Sequence, residues 1–184
     1  MNRPPRPHAD VDAILFDEAA IARRVEEIAA AVNAAQDGRE LTVVGVLTGA
    51  CAFTADLIRR LDMPMLLDFI AVSSYGQSTT TSGVVRLNKD LDIPLEGRDV
   101  LVVEDIVDTG LTLQYLRENL LARRPRSLRI AVLLDKRSRR QVEVPVDYIG
   151  FEIPDVFVVG YGIDYAGRYR NLPYVATLKP EVYS

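Results

Sequence analysis

The chain lacks the residues on which several classes of protein depend. Its 184 residues include one cysteine, Cys51, one histidine, His8, and no tryptophan. A single cysteine excludes an internal disulfide and a multi-cysteine zinc site, which favours a reducing compartment. The histidine lies in the proline-rich start MNRPPRPHAD, so a serine–histidine–acid triad has no suitable central member. Disulfide scaffolds, cysteine-rich zinc proteins and triad hydrolases are therefore excluded.

Long apolar runs and an excess of basic charge are also missing. No apolar run approaches the ~18 residues of a membrane-spanning helix, and the first residues lack the apolar stretch of a signal peptide. The formal net charge is −4, which gives no general attraction to nucleic acid or to an anionic membrane. We therefore expect a cytoplasmic protein that binds neither nucleic acid nor membrane.

What is present indicates a globular chain. Hydrophobic residues make up 48% and charged residues 26% of the sequence, and at this length roughly 70% of the unfolded surface can be buried. Strand-like and helix-like segments alternate along the chain. We therefore predict an α/β fold with a mainly parallel central sheet flanked by helices, in a single domain of residues 1–184.

Hydrophobic periodicity predicts the individual elements. Asp17 is placed to cap a helix that ends near residues 37–38, and LTVVGVL (41–47) is typical of a strand covered on both faces. The other predicted elements are helices at 53–61 and about 111–122, and strands at 64–75, 100–103 and 127–135. The irregular segments are a loose arm at 1–12, a β-hairpin arm or mobile loop at 76–98, and a small appendage at 144–184 over the edge of a core at about 38–143.

The segment VLVVEDIVDTGLTL (100–113) carries the strongest chemical signal. Its polar residues and glycine are Glu104, Asp105, Asp108, Thr109, Gly110 and Thr112. Ligands of open α/β sheets bind at the carboxyl ends of the strands, and this segment follows such an end. Free N–H groups, a glycine and two hydroxyls suit a phosphate, whereas the first two carboxylates suit sugar hydroxyls or Mg²⁺. The turn is therefore predicted to hold a phosphorylated sugar.

Each carboxylate taken alone has a simpler interpretation. Asp108 could merely cap the following helix, and the acids could form a solvated strand end, as we expect for Asp92 and Asp99. For the whole group this interpretation is weaker, because two acids directly after an apolar strand cost solvation energy unless they bind something. The other common phosphate loops, GxxxxGKS/T and GxGxxG, do not occur.

The same segment resembles the binding motif for phosphoribosyl pyrophosphate (PRPP) of type I phosphoribosyltransferases. Other motifs are similar to the hypoxanthine-guanine branch of that family, and the resemblance runs from about residue 12 to 182. It implies the type I phosphoribosyltransferase fold, with a small hood formed by terminal segments. It further implies Mg²⁺ as cofactor, PRPP with hypoxanthine or guanine as substrates, IMP or GMP as products, and a homo-oligomer, either dimer or tetramer.

The resemblance also implies a role for each residue of the motif. Glu104 and Asp105 would bind the ribose hydroxyls, directly or through Mg²⁺, and Asp108 would be the general base that faces the purine N7. The 5′-phosphate would be cradled by Asp108, Thr109, Gly110, Leu111 and Thr112. PRPP loses pyrophosphate through an oxocarbenium-like transition state, so a nearby carboxylate can both accept the purine proton and stabilise positive charge.

Two further segments resemble loops of the family. LTGA (47–50) matches the pyrophosphate loop, in which the backbone of Thr48 and Gly49 would hold the leaving group, although the family usually has lysine at the position of Thr48. SSYGQSTTTSG matches the flexible loop, in which Ser74 and Tyr75 would close over the reacting centre and exclude water. Without the other motifs, these segments would be a tight turn and a surface hairpin.

Purine recognition is implied by matches in the last third of the chain. Lys136, in LLDKRSRR, matches a lysine that donates to the purine 6-oxo group. The neighbouring Arg137, Arg139 and Arg140 are interpreted as a solvated basic edge rather than as ligands.

A second set of matches lies in VFVVGYGIDY and YRNLPYV. Phe157 would stack on the base, the Val158 backbone would read the edge of the base, and Asp164, also assigned to the purine site, would complete a second Mg²⁺ site near pyrophosphate. Arg170 matches an arginine that contacts pyrophosphate, a role that suits a charged and forked donor.

Three alternatives were weighed. The first keeps the chemistry and changes the base to xanthine or another 6-oxopurine, with which Lys136 is equally compatible. The second is a PRPP-sensing regulatory protein without useful catalysis, against which the retained Asp108 and the loop residues 74–75 argue. The third, a phosphatase with an aspartate nucleophile, is discounted because no DxDxT run follows a strand.

Overall fold

The structure is a computed structural model that describes residues 8–74 and 85–183. Its first helix agrees closely with the local sequence signals. Helix α1 (Glu18–Gln36) begins where predicted, because Asp17 Oδ1 accepts a hydrogen bond of 2.7 Å from the N–H of Ala20. It ends at Asp37, which adopts the left-handed conformation of a helix terminus.

The main sheet has six strands in the order β4-β3-β2-β5-β6-β7. Five of them are parallel: β2 (Leu41–Leu47), β3 (Met65–Ser74), β5 (Asp99–Val107), β6 (Ser127–Asp135) and β7 (Tyr148–Glu152). The edge strand β4 (Val85–Lys89) pairs antiparallel with β3. The predicted mainly parallel α/β sheet is confirmed.

Helices cover both faces of this sheet. Val43 of β2 packs with α1 and α2 (Cys51–Ile58), whereas its neighbour Val44 packs with α3 (Leu111–Leu121). Successive side chains of a strand point to opposite faces, so a strand buried on both faces must be apolar throughout. This explains the uninterrupted run at 41–47.

A second sheet of three strands forms the hood. Its order is β1-β9-β8, with β1 (Val11–Phe16) and β8 (Val158–Val159) both antiparallel to β9 (Val175–Leu178). A short helix, α4 (Pro180–Tyr183), follows β9. Terminal segments therefore build the hood, as the resemblance implied.

Several boundaries differ from the prediction. Residues 11–12 belong to β1 rather than to a loose arm, because Val11 pairs with Leu178 of β9. The predicted appendage began near residue 144, but residues 148–152 extend the main sheet as β7, beside β6.

The most important difference concerns β5, which continues through Glu104 and Asp105 to Val107 instead of ending at Val103. Pairing with β6 continues over the same stretch, from Glu104 opposite Val132 to Val107 opposite Asp135. The two acids are therefore strand residues and not a solvated end.

Part of the predicted arm at 76–98 lies outside the described residues, and its end forms β4. Within residues 8–74 and 85–183, no helix combines the length and apolarity needed to cross a membrane.

Candidate active site

A cavity of about 290 Å³ lies between the carboxyl ends of β2 and β5, the start of α3 and the hood. Its wall includes predicted site residues from three separate parts of the sequence. These are Gly49, Glu104, Asp105, Asp108, Thr109, Gly110, Thr112, Asp164 and Arg170. The fold thus collects the predicted ribose, phosphate and pyrophosphate residues in one place.

The remaining predicted residues lie around this cavity or outside the described chain. Thr48 is an exposed neighbour of Gly49, and Leu111 is the half-buried first residue of α3. Ser74 is the last residue of β3. Tyr75 lies outside the described residues, so the closing role of the two loop residues stays a prediction.

The paired acids are held against the loop that follows β2. Glu104 is only 8% exposed, and burial, together with the charge of Asp105 beside it, raises the pKa of the Glu104 carboxyl well above its usual range. A Cβ atom on Gly49 would overlap the Asp105 carboxylate. A larger residue at position 49 would therefore require the Asp105 carboxylate to move away from this loop.

The donor set is suited to Mg²⁺ that is shared with a substrate. Among the described residues, no group of three or more His, Cys, Asp or Glu side chains forms a metal cluster. Mg²⁺ is usually held by one or two carboxylates together with substrate phosphates and water, which Glu104 and Asp105 can provide. Asp164 is already engaged, because it accepts from Gly167 N at 2.7 Å and pairs with Arg170 Nη2 at 2.6 Å.

The start of α3 offers a place for an anion. The helix begins at Gly110, whose φ is 85°, and it has no side-chain cap, so Asp108 does not serve as the cap considered above. The first N–H groups of a helix have no intrahelical acceptor, and the helix dipole favours negative charge there. The hydroxyls of Thr109 and Thr112 lie on the same wall. A phosphate would be well satisfied at this end.

The loop after β2 also contacts the hood. The peptide bond between Leu47 and Thr48 is cis. Gly162 has a φ of 99°, and a Cβ atom there would overlap the carbonyl oxygen of Gly49. Backbone therefore packs directly on backbone where the hood meets the cavity.

Two arginines that were assigned to a solvated edge have specific contacts. Arg139 Nε lies 2.7 Å from Asp108 Oδ1. Arg140 Nη2 lies 2.8 Å from Asp135 Oδ1, and these two side chains are 9% and 4% exposed. The interpretation is therefore wrong for Arg140, which is buried, and incomplete for Arg139; Arg137 alone agrees with it. No periodic signal in RSRR distinguishes these residues, so only tertiary contacts could identify them.

The side chain of Asp108 presents its two oxygens differently. It is 43% exposed, yet Oδ1 is buried and no hydrogen-bond donor in the described chain is aligned with it. The 2.7 Å contact with Arg139 is therefore an ion pair without hydrogen-bond geometry. The exposed oxygen of the carboxylate is then Oδ2, which is free to meet a ligand.

The predicted purine residues border the outer end of β6. Lys136 is 8% exposed, and its N–H donates to Val107 O at 2.9 Å, which ties it to the end of β5. Its Nζ lies 3.7 Å from Asp155 Oδ1. Val158 is buried at the start of β8.

Phe157 is unusually exposed for a phenylalanine, at 42%. Its ring is supported by Tyr165 in an edge-to-face contact at 5.5 Å and by Tyr183 in a tilted contact at 5.6 Å. An exposed but supported ring is suited to stacking on a planar ligand.

The chain is similar to known proteins over nearly its whole length. The family model for the phosphoribosyl transferase domain matches residues 12–166. The hypoxanthine-guanine phosphoribosyltransferase of Bacillus subtilis is 49% identical over 95% of this chain and 97% of its own. The enzyme of the same name from Mycobacterium avium is 48% identical over 95% of this chain and 89% of its own.

Solved structures agree with these relatives. A hypoxanthine phosphoribosyltransferase from Staphylococcus aureus superposes with a TM-score of 0.93, at 46% identity and with 96% of each chain covered. The hypoxanthine phosphoribosyltransferase of Trypanosoma cruzi gives a TM-score of 0.92, at 45% identity and with 97% of each chain covered. The match to the family model and the extent of these identities agree with the arrangement of the cavity, and the chain therefore belongs to the phosphoribosyl transferase domain family.

Proposed function

We propose that the chain is a hypoxanthine-guanine phosphoribosyltransferase, a purine salvage enzyme that makes IMP or GMP from PRPP and the free base and releases pyrophosphate. The observation that carries this proposal is the arrangement of Asp108, with one exposed carboxylate oxygen, between the paired acids of β5 and the uncapped start of α3. Its relatives of that name at 48–49% identity support the choice of substrates.

In this proposal the cavity holds PRPP by three groups of residues. The 5′-phosphate binds residues 108–112 at the start of α3, where N–H groups and the hydroxyls of Thr109 and Thr112 donate to it. The ribose hydroxyls meet Glu104 and Asp105. Pyrophosphate binds the backbone of Thr48 and Gly49 and the guanidinium of Arg170.

The transfer exchanges two bonds at C1′ of the ribose. The bond from C1′ to the pyrophosphate oxygen breaks, and its electron pair leaves with pyrophosphate. Purine N9 then donates an electron pair to C1′, and the proton on N7 passes to Asp108. A carboxylate near C1′ also stabilises the positive charge that develops in the transition state, where water must be excluded.

The base would be selected by the side chains at the outer end of β6 and in the hood. Lys136 donates to the 6-oxo group, which favours hypoxanthine and guanine over adenine. Phe157 stacks on the ring, and the Val158 backbone reads its edge.

Mg²⁺ would be held by Glu104 and Asp105, with Asp164 nearest to a second site beside pyrophosphate. When bound, the ion would neutralise phosphate charge and stabilise the leaving group. The carboxylates themselves orient the ribose hydroxyls. Burial of Glu104 makes its charged form costly unless a cation lies beside it, which suits this carboxylate to a metal site.

We also propose a homo-oligomer, dimer or tetramer, in the cytoplasm. The related Trypanosoma cruzi enzyme has been studied for the role of its C-terminal region in oligomeric state and activity. Light scattering on the purified chain would test the assembly, and a single species of 20.5 kDa would contradict it.

The function is tested by absorbance assays with PRPP and Mg²⁺ in which hypoxanthine, guanine, xanthine and adenine are offered separately. A matched set with the metal chelated serves as the control. Metal-dependent nucleotide formation from hypoxanthine or guanine supports the proposal.

Two results would contradict the proposal and favour one of the alternative functions. Turnover of xanthine alone would indicate a different 6-oxopurine specificity. Binding of PRPP by calorimetry without turnover of any base would indicate a PRPP sensor.

A further inference from the structure

Four charged side chains of alternating sign connect the two ends of the proposed purine site. Lys136 Nζ lies 3.7 Å from Asp155 Oδ1, and Asp155 Oδ2 lies 3.1 Å from Arg139 Nη1. Arg139 Nε in turn lies 2.7 Å from Asp108 Oδ1. The series therefore links the group that meets the purine 6-oxo position with the group that meets N7.

We propose that Arg139 and Asp155 are positioning residues that fix Asp108 and Lys136 at the spacing of a 6-oxopurine. This inference rests on the proposed function. Arg139 engages the buried Oδ1 of Asp108 and leaves Oδ2 for the purine, as a third group often orients a general base. Arg139 Nη1 donates to both oxygens of Asp155, at 3.1 Å and 3.4 Å, and Lys136 Nζ lies 3.7 Å from Oδ1, so both purine contacts share one anchor.

Backbone hydrogen bonds hold the segment that carries Arg139. Lys136 N donates to Val107 O at 2.9 Å, just before Asp108, and Gln141 N donates to Thr109 O at 2.9 Å, just after it. The 3-10 turn Arg137–Arg139 therefore lies between two fixed points on either side of the proposed base. Arg139 therefore extends from a backbone segment that is tied to the chain on both sides of Asp108.

The forked guanidinium is needed to bridge two carboxylates at once. Arginine presents donors in a planar fork, whereas lysine has a single ammonium group. The two carboxylates also raise the pKa of the Arg139 guanidinium, with Asp155 as the larger cause, so its charge is retained at every working pH. Arg139 therefore keeps the charge with which it meets both carboxylates.

The chain contains a matched control pair on the same segments. Arg137 belongs to the same turn as Arg139, and Glu152 lies three residues before Asp155. Arg137 Nη1 and Glu152 Oε1 are 3.4 Å apart, both side chains are exposed, and neither touches the cavity. Replacing either residue removes the same charge from the same region without touching Asp108 or Lys136.

The test compares kcat and KM for the full-length variants Arg139→Gln, Arg139→Lys, Asp155→Asn, Arg137→Gln and Glu152→Gln. In Arg139→Gln we expect kcat with hypoxanthine to fall about 10-fold while the KM for PRPP stays within about twofold, because Arg139 does not line the cavity proposed for PRPP. Arg139→Lys should recover part of that loss. Asp155→Asn should lower kcat and also raise the KM for hypoxanthine, because Lys136 loses its anchor.

The outcomes separate this inference from the proposed function. The positioning role would be overturned by any of three results. These are normal turnover in Arg139→Gln, an equal loss of kcat in Arg137→Gln, or a loss of kcat in Arg139→Gln with a matching rise in the KM for PRPP. Melting temperatures of all variants detect a general loss of folding, which would also count against it. A parent enzyme that turns over no 6-oxopurine would overturn the proposed function and this inference together.

Discussion

The carboxylates of the cavity have similar chemistry but very different surroundings. Glu104 is buried in β5, where its pKa is raised, whereas Asp108 lies beyond the strand with one oxygen exposed. Asp164 is paired with Arg170. Position along one strand and one loop therefore separates the acid proposed to bind a cation from the acid proposed to accept a proton.

Asp108 is expected to be the residue most sensitive to a neutral replacement. Asp108→Asn keeps the size of the side chain but cannot accept the purine proton, so kcat should fall on the order of 10²-fold to 10⁴-fold. Steady-state assays with hypoxanthine and guanine would measure this. Turnover within a few-fold of the parent would show that Asp108 is not the general base.

Thr48 can be tested by restoring the residue that the family usually has. Thr48→Lys adds a charge beside the proposed pyrophosphate site, and one charge-assisted contact should tighten binding of pyrophosphate or PRPP by about 10-fold. Thr48 is exposed, so the longer side chain can be accommodated. Unchanged Michaelis constants for both ligands would mean that the backbone of the loop suffices.

The sequence was informative about this site where residue types are distinctive. The place of Glu104 and Asp105 in the cavity could be predicted because two acids that follow an apolar run are costly without a ligand, whereas the role of Asp108 was implied by the family resemblance and stays a prediction. Arg139 and Arg140 could not be separated from Arg137, because three arginines in one short run have the same local signal. Their roles depend on which acid each one meets, and Asp108, Asp135 and Glu152 lie on different elements.

At the level of elements, β5 connects the core to the site. Its amino end is fixed by Asp99, which is 3% exposed and accepts from Ser127 Oγ at 2.6 Å, Gln36 Nε2 at 3.1 Å and Arg126 Nε at 3.2 Å. Gln36 is the last residue of α1, Ser127 is the first residue of β6, and Arg126 directly precedes β6. Asp99 is therefore a structural residue, but it is buried rather than solvated as expected, whereas Asp92 is exposed.

Asp99 gives a prediction for stability and its dependence on pH. Although burial alone would raise the pKa of the Asp99 carboxyl, its hydrogen bonds and Arg126 lower it below the ordinary 3.8. A lowered folded-state pKa gives stability that is present above pH 3.8 and is lost as the pH falls through the folded value. Asp99→Asn should therefore lower the free energy of unfolding by about 1 to 3 kcal/mol at pH 7.

Urea unfolding at pH 7 and at pH 3 would measure this effect, and the difference between variant and parent should shrink at pH 3. The exposed Asp92 provides the control, since Asp92→Asn should change stability by less than about 0.5 kcal/mol. Equal effects of the two substitutions would contradict a structural role that is specific to Asp99.

The sequence predicted some helices and strands accurately and missed others. Helix α1 and strand β2 have strong periodic patterns and were predicted within one residue. Strand β1 was not predicted, because VDAILF follows a proline-rich start and its partner β9 lies at the other end of the chain. The continuation of β5 past Val103 was missed because pairing with β6, and not local propensity, keeps Glu104 and Asp105 extended.

At the scale of the whole molecule, the cavity exists only where the hood meets the main sheet. Asp164 and Arg170 come from the hood, and the acids come from β5. Gly162 and Gly49 form a close junction between the two parts. Tyr161 adds a second junction, because its hydroxyl donates to Asp56 Oδ2 of α2 at 2.6 Å.

Gly162→Ala is expected to disturb this junction. The added methyl group would overlap Gly49 O and would also be strained at a φ of 99°, so stability should fall by about 1 to 3 kcal/mol. Displacement of the loop at 48–50 should raise the KM for PRPP. Thermal unfolding and steady-state kinetics would measure the two effects.

Gly38→Ala is the matched control for this substitution. Gly38 also has a positive φ, of 72°, but no atom lies within 4 Å of a Cβ placed there. In Gly38→Ala the KM for PRPP should not change. A similar rise in both variants would show that backbone strain alone, and not the junction, is responsible.

The pairing of β1 with β9 has a consequence for the order in which the protein is made. The ribosome releases Val11–Phe16 early and Val175–Leu178 late, so β1 has no partner strand during most of synthesis. The parallel core from β2 to β7 can form before then, because all its strands precede β8. Asp164 and Arg170 follow β8 in the chain, so a nascent chain with a finished core still lacks the hood side of the cavity.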